Sequence, residues 1–563
     1  MKILIFIAYL SKFIIIYLKK KINNLPYFFY KHTENSLDIF NKFIKINSTK
    51  NKNYITKQKN KDILIVESLV RHPTYAISNC MLAVKIRKIK KIKCVGLIKR
   101  NDLKTRLIFL SYGINNFIYY DDNIFIDLFF FIKTYFKYIV KLSYGSLVNL
   151  KIKNIEFGNC VYEDYLRFSK KISNKKIDYL CCYYLSKAIK CFEFSNKILK
   201  NKNFKYFVQG ETQFCPHKIF FQNFLLNKKK IFVRYGGVAG SIGMRIYDKF
   251  SSKNTNKEKI SIKLTNYLLA NKKVINASNK FYKESNFVNS VGHEKLFNKY
   301  KKNKLNFKDK NEFYKFLKLD KDKNTVLILP HVIIDAIMHN EWSVYFGTLN
   351  WYIETLKIIK KIKKINWIIK PHPSEYHYNS IATAEKFFLE EVKNCQNIIL
   401  YPKNIHINNI HKYIDAVVTS HGSAGYQYTS LGLPVVTASD CYYSNFKFTY
   451  APRNKEEYIN ILKNIDMIKK PNKKMILKSK ILFYTMQNLI VFNLFKYLDI
   501  TKGYSEEKIW KDQINLLKNK EKNILFEKLI NNQLLYNNRQ TFNYKAISSK
   551  KNYININDLK DRH

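Results

Sequence analysis

Two loops in the second half of this chain carry residue types suited to holding a phosphate. Lys370-Pro371-His372-Pro373-Ser374-Glu375 follows directly on the apolar run Trp367–Ile369. Its prolines stiffen the loop and restrict the residues before them, which fixes the direction of His372 beside the positive charge of Lys370. Further along, the run Ala416–Val418 ends in Thr419-Ser420-His421-Gly422-Ser423-Ala424-Gly425. A helix-like segment, Gly432-Leu433-Pro434 and the β-branched run Val435-Val436-Thr437 come next. That is strand, small-residue loop, helix, strand. Such a loop turns backbone N–H groups and the hydroxyls of Ser420 and Ser423 toward an anion, and Gly422 and Gly425 let a ligand approach the backbone. Taken singly, each loop also reads as a tight turn with a capping side chain. Two such loops two strands apart on one sheet favour phosphate.

The surrounding pattern supplies that sheet. Compact apolar runs at Ile63–Val66, Lys93–Ile98, Phe117–Tyr120, Tyr206–Gln209 and Ile231–Arg234 alternate with helical stretches at Ala76–Ile89 and Glu211–Asn227. The same rhythm restarts at Thr325–Leu329 and continues through Thr348–Lys363, Trp367–Ile369, Asn397–Leu400, Val417-Val418 and Val435-Val436. Alternating strands and helices imply parallel sheets. The fold expected is α/β, two tandem Rossmann-like domains facing an interdomain cleft, with ligands at the carboxyl ends of the strands. Residues 61–300 form the first domain and 301–480 the second. Residues 1–21 read as an apolar helix, 22–60 as an Asn/Lys-rich linker, and 481–563 as a helical extension with a polar tail.

The 563 residues suffice for several cores. Lys+Arg 100 against Asp+Glu 42 gives a net charge of +58, which draws anionic partners. The lysines are scattered among many Asn, Ile and Tyr, as AT-rich coding produces, and no nucleic-acid module accompanies them, so nucleic acid is not an expected partner. The nine cysteines show no CxxC pair and no Cys/His zinc spacing, which reads as reduced thiols in a cytoplasmic protein. The apolar segment Ile3–Leu18 is short for a span and precedes Lys19-Lys20-Lys21; a helix lying on an anionic membrane surface fits it.

In its strings KPHPSE and DAVVTSHGSAGYQYTSLGLPVV the chain resembles the bacterial capsule and surface-polysaccharide biosynthesis proteins. These are GT-B-type glycosyltransferases related in motif style to the HP-motif Kdo and sialic acid transferases. Pro330-His331 with Asp335, Trp351 with Glu354-Thr355-Leu356, Tyr442-Tyr443-Ser444, Phe448–Pro452, Glu456-Glu457-Tyr458 and Tyr162–Arg167 extend the likeness. It covers roughly 60–460 and is most specific from 325 to 458. The pattern departs at Gln427, where the resemblance implies a glutamate, and donor contacts at that position are in question.

The resemblance implies a nucleotide-sugar donor as co-substrate, no other cofactor, and a glycan or lipid-linked glycan acceptor met at the inner face of the plasma membrane. His372, Lys370 and Ser420–Gly425 would hold the donor phosphate and stabilise the leaving nucleotide without a metal. An inverting transfer also needs a general base. Glu67 with Arg71 and His72 behind it, Asp335 with His331, and Glu211 are the candidates, and Arg234 and Arg245 could face an acidic acceptor. A nucleotide-sugar epimerase, a glycerophosphotransferase or a non-catalytic assembly factor are the alternatives.

Overall fold

Strands built from unbroken runs of Val, Ile and Leu must be covered on both faces, and here helices cover them. The computed structural model describes residues 2–22, 36–52, 61–70, 73–121, 123–171, 173, 176–235, 241–248, 262–284, 303–335, 344–345, 347–402, 405–438, 441–486, 492–493, 506–519, 523–524, 526–527, 530, 542–543 and 553–554. Two units emerge. One comprises Met1–Tyr165, Lys175–Asn254 and Asn488–Ile556, the other Leu166–Asn174, Thr255–Gln487 and Asn557–His563.

In the first unit, β1 (Ile63–Ser68), β2 (Lys93–Lys99), β3 (Asn116–Tyr120), β6 (Phe204–Gln209) and β7 (Lys230–Tyr235) are parallel, in the order β3-β2-β1-β6-β7. A small hairpin, β4 (Lys151–Ile152) with β5 (Ile155–Glu156), lies between β3 and β6 in the chain. Antiparallel β8 (Ser241–Tyr247) and β16 (Phe492–Asn493) complete the edge, two strands the sequence pattern does not suggest. In the second unit, β10 (Asn324–Leu329), β11 (Ile365–Ile369), β12 (Ile398–Leu400), β14 (Ala416–Thr419) and β15 (Val435–Thr437) are all parallel, in the order β12-β11-β10-β14-β15. A short parallel pair, β9 (Asn303–Leu305) with β13 (Ile405–Ile407), stands apart. Both units therefore share the doubly wound order third-second-first-fourth-fifth. The winding reverses between β1 and β6 and again between β10 and β14, and each reversal opens a crevice at the carboxyl ends.

Part of the segment read as a linker is structured. Ser36–Lys52 is a helix whose Phe40 and Phe43 are buried against Trp510 of the helix Glu506–Lys518, with ring centroids 4.7 and 5.3 Å apart. Its apolar residues recur at Ile39, Phe40, Phe43 and Ile44, a helical period that the Asn/Lys composition obscured. The N-terminal helix runs Lys2–Ile22, with Phe6 and Tyr9 against Tyr135 and Phe13 against Phe131. Among the described residues no helix is long and apolar enough to cross a membrane. Most of the expected tail 535–563 lies outside the described residues.

Candidate functional site

At the second unit's reversal, three strands end side by side and each hands over to a polar loop. β10 leads into Pro330-His331, β11 into Lys370–Pro373, and β14 into Ser420–Ser423. Together they line an open pocket of about 640 Å³, counting the space at its mouth. The lining includes His331, Lys370, His372, Thr419, Ser420, Gly422, Ser423, Ala424 and Gln427; no acidic side chain is among the described residues that line it. Lys370 is 5% exposed, with its ammonium 5.1 Å from the centre of the Tyr401 ring. A cation this buried contributes strongly to binding an anion, because little water screens it.

The histidines are set in defined orientations. His372 Nδ1 accepts a hydrogen bond from the Ser374 N–H at 3.1 Å, so its proton resides on Nε2, which becomes a donor. His331 is the reverse. Its Nδ1–H donates to the Val332 carbonyl at 3.2 Å, and in the tautomer with the proton on Nδ1 it is Nε2 that accepts. The His331 ring lies 6.1 Å from that of His372 and stacks on that of His421 at 5.7 Å. Although His421 is only half-buried as a residue, burial of its imidazole, helped by neighbouring His331, pushes it down to about 3. It is neutral across the physiological range.

Glu375 ties two of the loops together. It is 1% exposed and accepts from the Ile333 N–H at 2.8 Å and from the Ser380 hydroxyl. Burial pushes its carboxyl up to about 7, against the pull of those two hydrogen bonds. Because Ile333 follows His331 and Glu375 follows His372, this one side chain sets the spacing of both histidine loops. Its role is not evident from composition, although it ends the KPHPSE string; a carboxylate that soon after a strand-end histidine is the one signal the sequence carries for it.

No protein-family model matches this chain, and no curated protein does. Among solved structures, it is similar to the KpsC β-Kdo 2,4-transferase of Thermosulfurimonas dismutans at 10% identity, over 56% of this chain and 88% of that one, with a TM-score of 0.31. The β-Kdo 2,7-transferase of the same KpsC aligns at 13% identity over 57% and 89%, with a TM-score of 0.29. The UDP-GlcNAc 2-epimerase of Methanocaldococcus jannaschii, in complex with UDP-GlcNAc and UDP, aligns at 13% identity over 75% and 99%, with a TM-score of 0.25. Likenesses this slight carry no argument about the chemistry of this chain, which rests on its own residues.

The remaining expected residues fall elsewhere. Gly425 is buried, and a Cβ there would come within 2.0 Å of the Tyr443 hydroxyl; it serves packing, not ligand approach as its sequence context suggested. Ser423 does not cap the following helix Ala424–Ser430 but donates to Gln427 Oε1 at 3.2 Å. Asp335 does not line the pocket; its Oδ2 accepts from the Tyr378 hydroxyl at 3.4 Å.

In the first unit, Glu67 is the penultimate residue of β1 near the β1–β6 reversal; its carboxylate lies 3.3 Å from His217 Nε2 and accepts from the Leu69 N–H. The residues are 1% and 4% exposed. Burial opposes charge on both, yet each partner overrides it: Glu67 is held below the ordinary carboxylate value and His217 above the ordinary imidazole value. They form a buried ion pair, and a carboxylate so held is a weak base. Glu211 accepts from the N–H groups of Thr212 and Gln213 and shapes its own turn. The Arg234 guanidinium lies 4.5 Å from the Tyr75 ring centre, while Arg245 stands on β8 opposite Val233. Arg71 and His72 lie outside the described residues.

Proposed function

We propose that this chain is a glycosyltransferase moving a sugar from a nucleotide-sugar donor to a growing surface glycan, of capsule or lipopolysaccharide type. The pocket at the β10–β14 reversal, lined by Lys370 and two histidines and by no acid among its described residues, is the observation that carries this reading. Lys370 and the His372 Nε2–H would bind the donor phosphate, with the hydroxyls of Ser420 and Ser423 beside them. The acceptor hydroxyl attacks the anomeric carbon, the bond from that carbon to the phosphate oxygen breaks, and the nucleotide leaves on an oxygen those groups stabilise. The acceptor proton passes to a base; His331, which lines the same pocket and whose Nδ1 is engaged by Val332, takes that role through Nε2 in place of Glu67 and Asp335. The negative charge is balanced by protein groups, so the step as proposed uses no metal.

A lipid-linked acceptor at an anionic membrane belongs to the same proposal. The outward stripe of the N-terminal helix, Ile3, Leu4, Ile7, Ile14 and Ile15, is exposed and bears no charge. Phe125, Phe129, Ile132 and Phe136 form a second exposed stripe, joined to the first where the Phe6 and Phe136 rings meet at 5.1 Å. Two exposed apolar stripes, the second with the Lys133 ammonium 5.9 Å from its Phe129 ring, suit the interface of an anionic bilayer, with the helix lying on it.

The test is a thermal-shift screen with CMP, CDP, UDP and GDP, followed by nucleotide release from the matching sugar nucleotide with and without a glycan acceptor. Acceptor-dependent release is the expected result. A folded protein that binds none of the four would overturn the proposal. The opposite hydrogen-bonding polarity of His331 and His372 also suits a paired base and acid, so sugar interconverted without any acceptor would replace transfer by epimerisation.

A further inference from the structure

The cysteines show no metal-binding spacing in sequence, yet the fold of the first unit gathers three of them. Cys160 and Asp164 are four residues apart on the helix Phe157–Ser169, hence on one face of it. Cys215 comes from the turn between β6 and the helix His217–Leu226. The Cys160 sulfur, an Asp164 carboxylate oxygen and the Cys215 sulfur all lie within 4.8 Å of one another. A fourth donor stands near: Cys191 Sγ, from the helix Tyr179–Leu199, is 3.5 Å from Cys215 Sγ. The Tyr120 hydroxyl is 3.1 Å from that same Cys191 sulfur.

We infer that Cys160, Asp164 and Cys215 bind a thiophilic divalent cation of the zinc class, with Cys191 as an additional sulfur. Tetrahedral zinc, with bonds of about 2.0–2.3 Å, holds its ligand atoms roughly 3.5–4 Å apart, close to the present spacing. The Asp164 Oδ2 already accepts from the Cys215 N–H at 3.0 Å, an outer hydrogen bond of the kind that aims a ligating carboxylate. Two or three sulfurs select zinc-like cations over magnesium or calcium. Cys160 is buried, while Asp164 and Cys215 are half-buried, which leaves the ion a way in. Binding would release the thiol protons and pin the Phe157–Ser169 helix to the turn that carries His217. The role is structural and independent of the proposed transfer.

The full chain, reduced and stripped of metal by a chelator, is titrated with Co²⁺ and then Zn²⁺. One equivalent of Co²⁺ should produce thiolate-to-cobalt charge-transfer absorption in the near ultraviolet, one equivalent of Zn²⁺ should abolish it, and the unfolding midpoint should rise. Cys215→Ser should lose the band, Asp164→Asn should weaken cobalt affinity by about 10–100-fold, and Cys395→Ser, in the other unit, should change nothing. Because Cys215→Ser could unfold the turn, the band is also followed in Cys160→Ser, with circular dichroism reporting the fold of each variant. No band while all nine thiols titrate as reduced, or an unchanged band in folded Cys160→Ser and Asp164→Asn, overturns the site.

Discussion

The two crevices of this molecule share one topology and differ in what fills them. At the β1–β6 reversal, Glu67 meets His217 and the charges cancel inside the protein. At the β10–β14 reversal, Lys370 shares the pocket lining with His331 and His372, and no described acid lines it. Winding order places polar groups at strand ends in both units. Whether such a place can take an anionic ligand depends on where the counter-charge sits. The first unit sets a carboxylate against its cation, whereas the second places no acid among the described residues lining its pocket.

The comparison breaks most visibly if the base lies in the first unit. His331→Ala should lower kcat by about 10²–10⁴-fold, the usual contribution of a general base, with nucleotide affinity and unfolding midpoint nearly unchanged. Glu67→Ala should instead appear in stability, with a loss of about 3 kcal/mol in denaturant unfolding from stranding a buried partner. Removing His217 as well should recover part of that loss. If Glu67→Ala keeps its stability and loses its turnover, the roles assigned to the two crevices are exchanged.

Much of this contrast was legible in the residue order, and some was not. The ten parallel strands of the two main sheets follow from short apolar runs, branched in most of them and aromatic in β3 and β6, because a strand covered by helices leaves little room for polar residues. The pocket's KPHP and SHGS loops were legible for the same reason: each follows such a run directly. Gly425 was misread because a glycine that spares room for a ligand and one that spares room for Tyr443 look alike in sequence. Glu67 seemed a base because its partner, His217, is 150 residues away and only the β1–β6 pairing brings them together. The Cys160–Asp164–Cys215 cluster was hidden for the same reason.

Smaller effects sharpen the contrast. Lys370→Ala should weaken nucleotide binding by about 10–100-fold, as loss of a hydrogen bond to a charged group does, measured by calorimetry on a protein that still folds. The pH dependence of stability should also differ between the crevices. Glu67 has a lowered folded value, so its contribution is present above the ordinary 4.5 and is lost as pH falls through that lowered value. His217 has a raised folded value, so its contribution is full below 6.5 and is lost as pH rises through that raised value. The pair therefore contributes most between those limits. Glu375 behaves oppositely: with its carboxyl raised to about 7, stability declines as pH rises from 4.5 to that value. Glu375→Gln should flatten this slope, whereas the double removal of Glu67 and His217 should flatten the other.

Gln427 offers the finest test, because it stands where the resemblance implies a glutamate. Its side chain is 6% exposed, lines the pocket and accepts from the Ser423 hydroxyl. Gln427→Glu keeps the size and that hydrogen bond but places the first carboxylate among the described lining residues. Repulsion between that carboxylate and a phosphate in the same pocket, roughly 1–2 kcal/mol at an effective dielectric of about 20, should lower affinity for the bare nucleotide about fivefold to thirtyfold. Salt should recover little of the loss, since a site this buried is weakly screened. Unchanged nucleotide affinity combined with tighter binding of the intact sugar nucleotide would place position 427 against the sugar hydroxyls instead. The second crevice would then hold its anion at one end and its sugar at the other, a division the ion pair of the first crevice cannot offer.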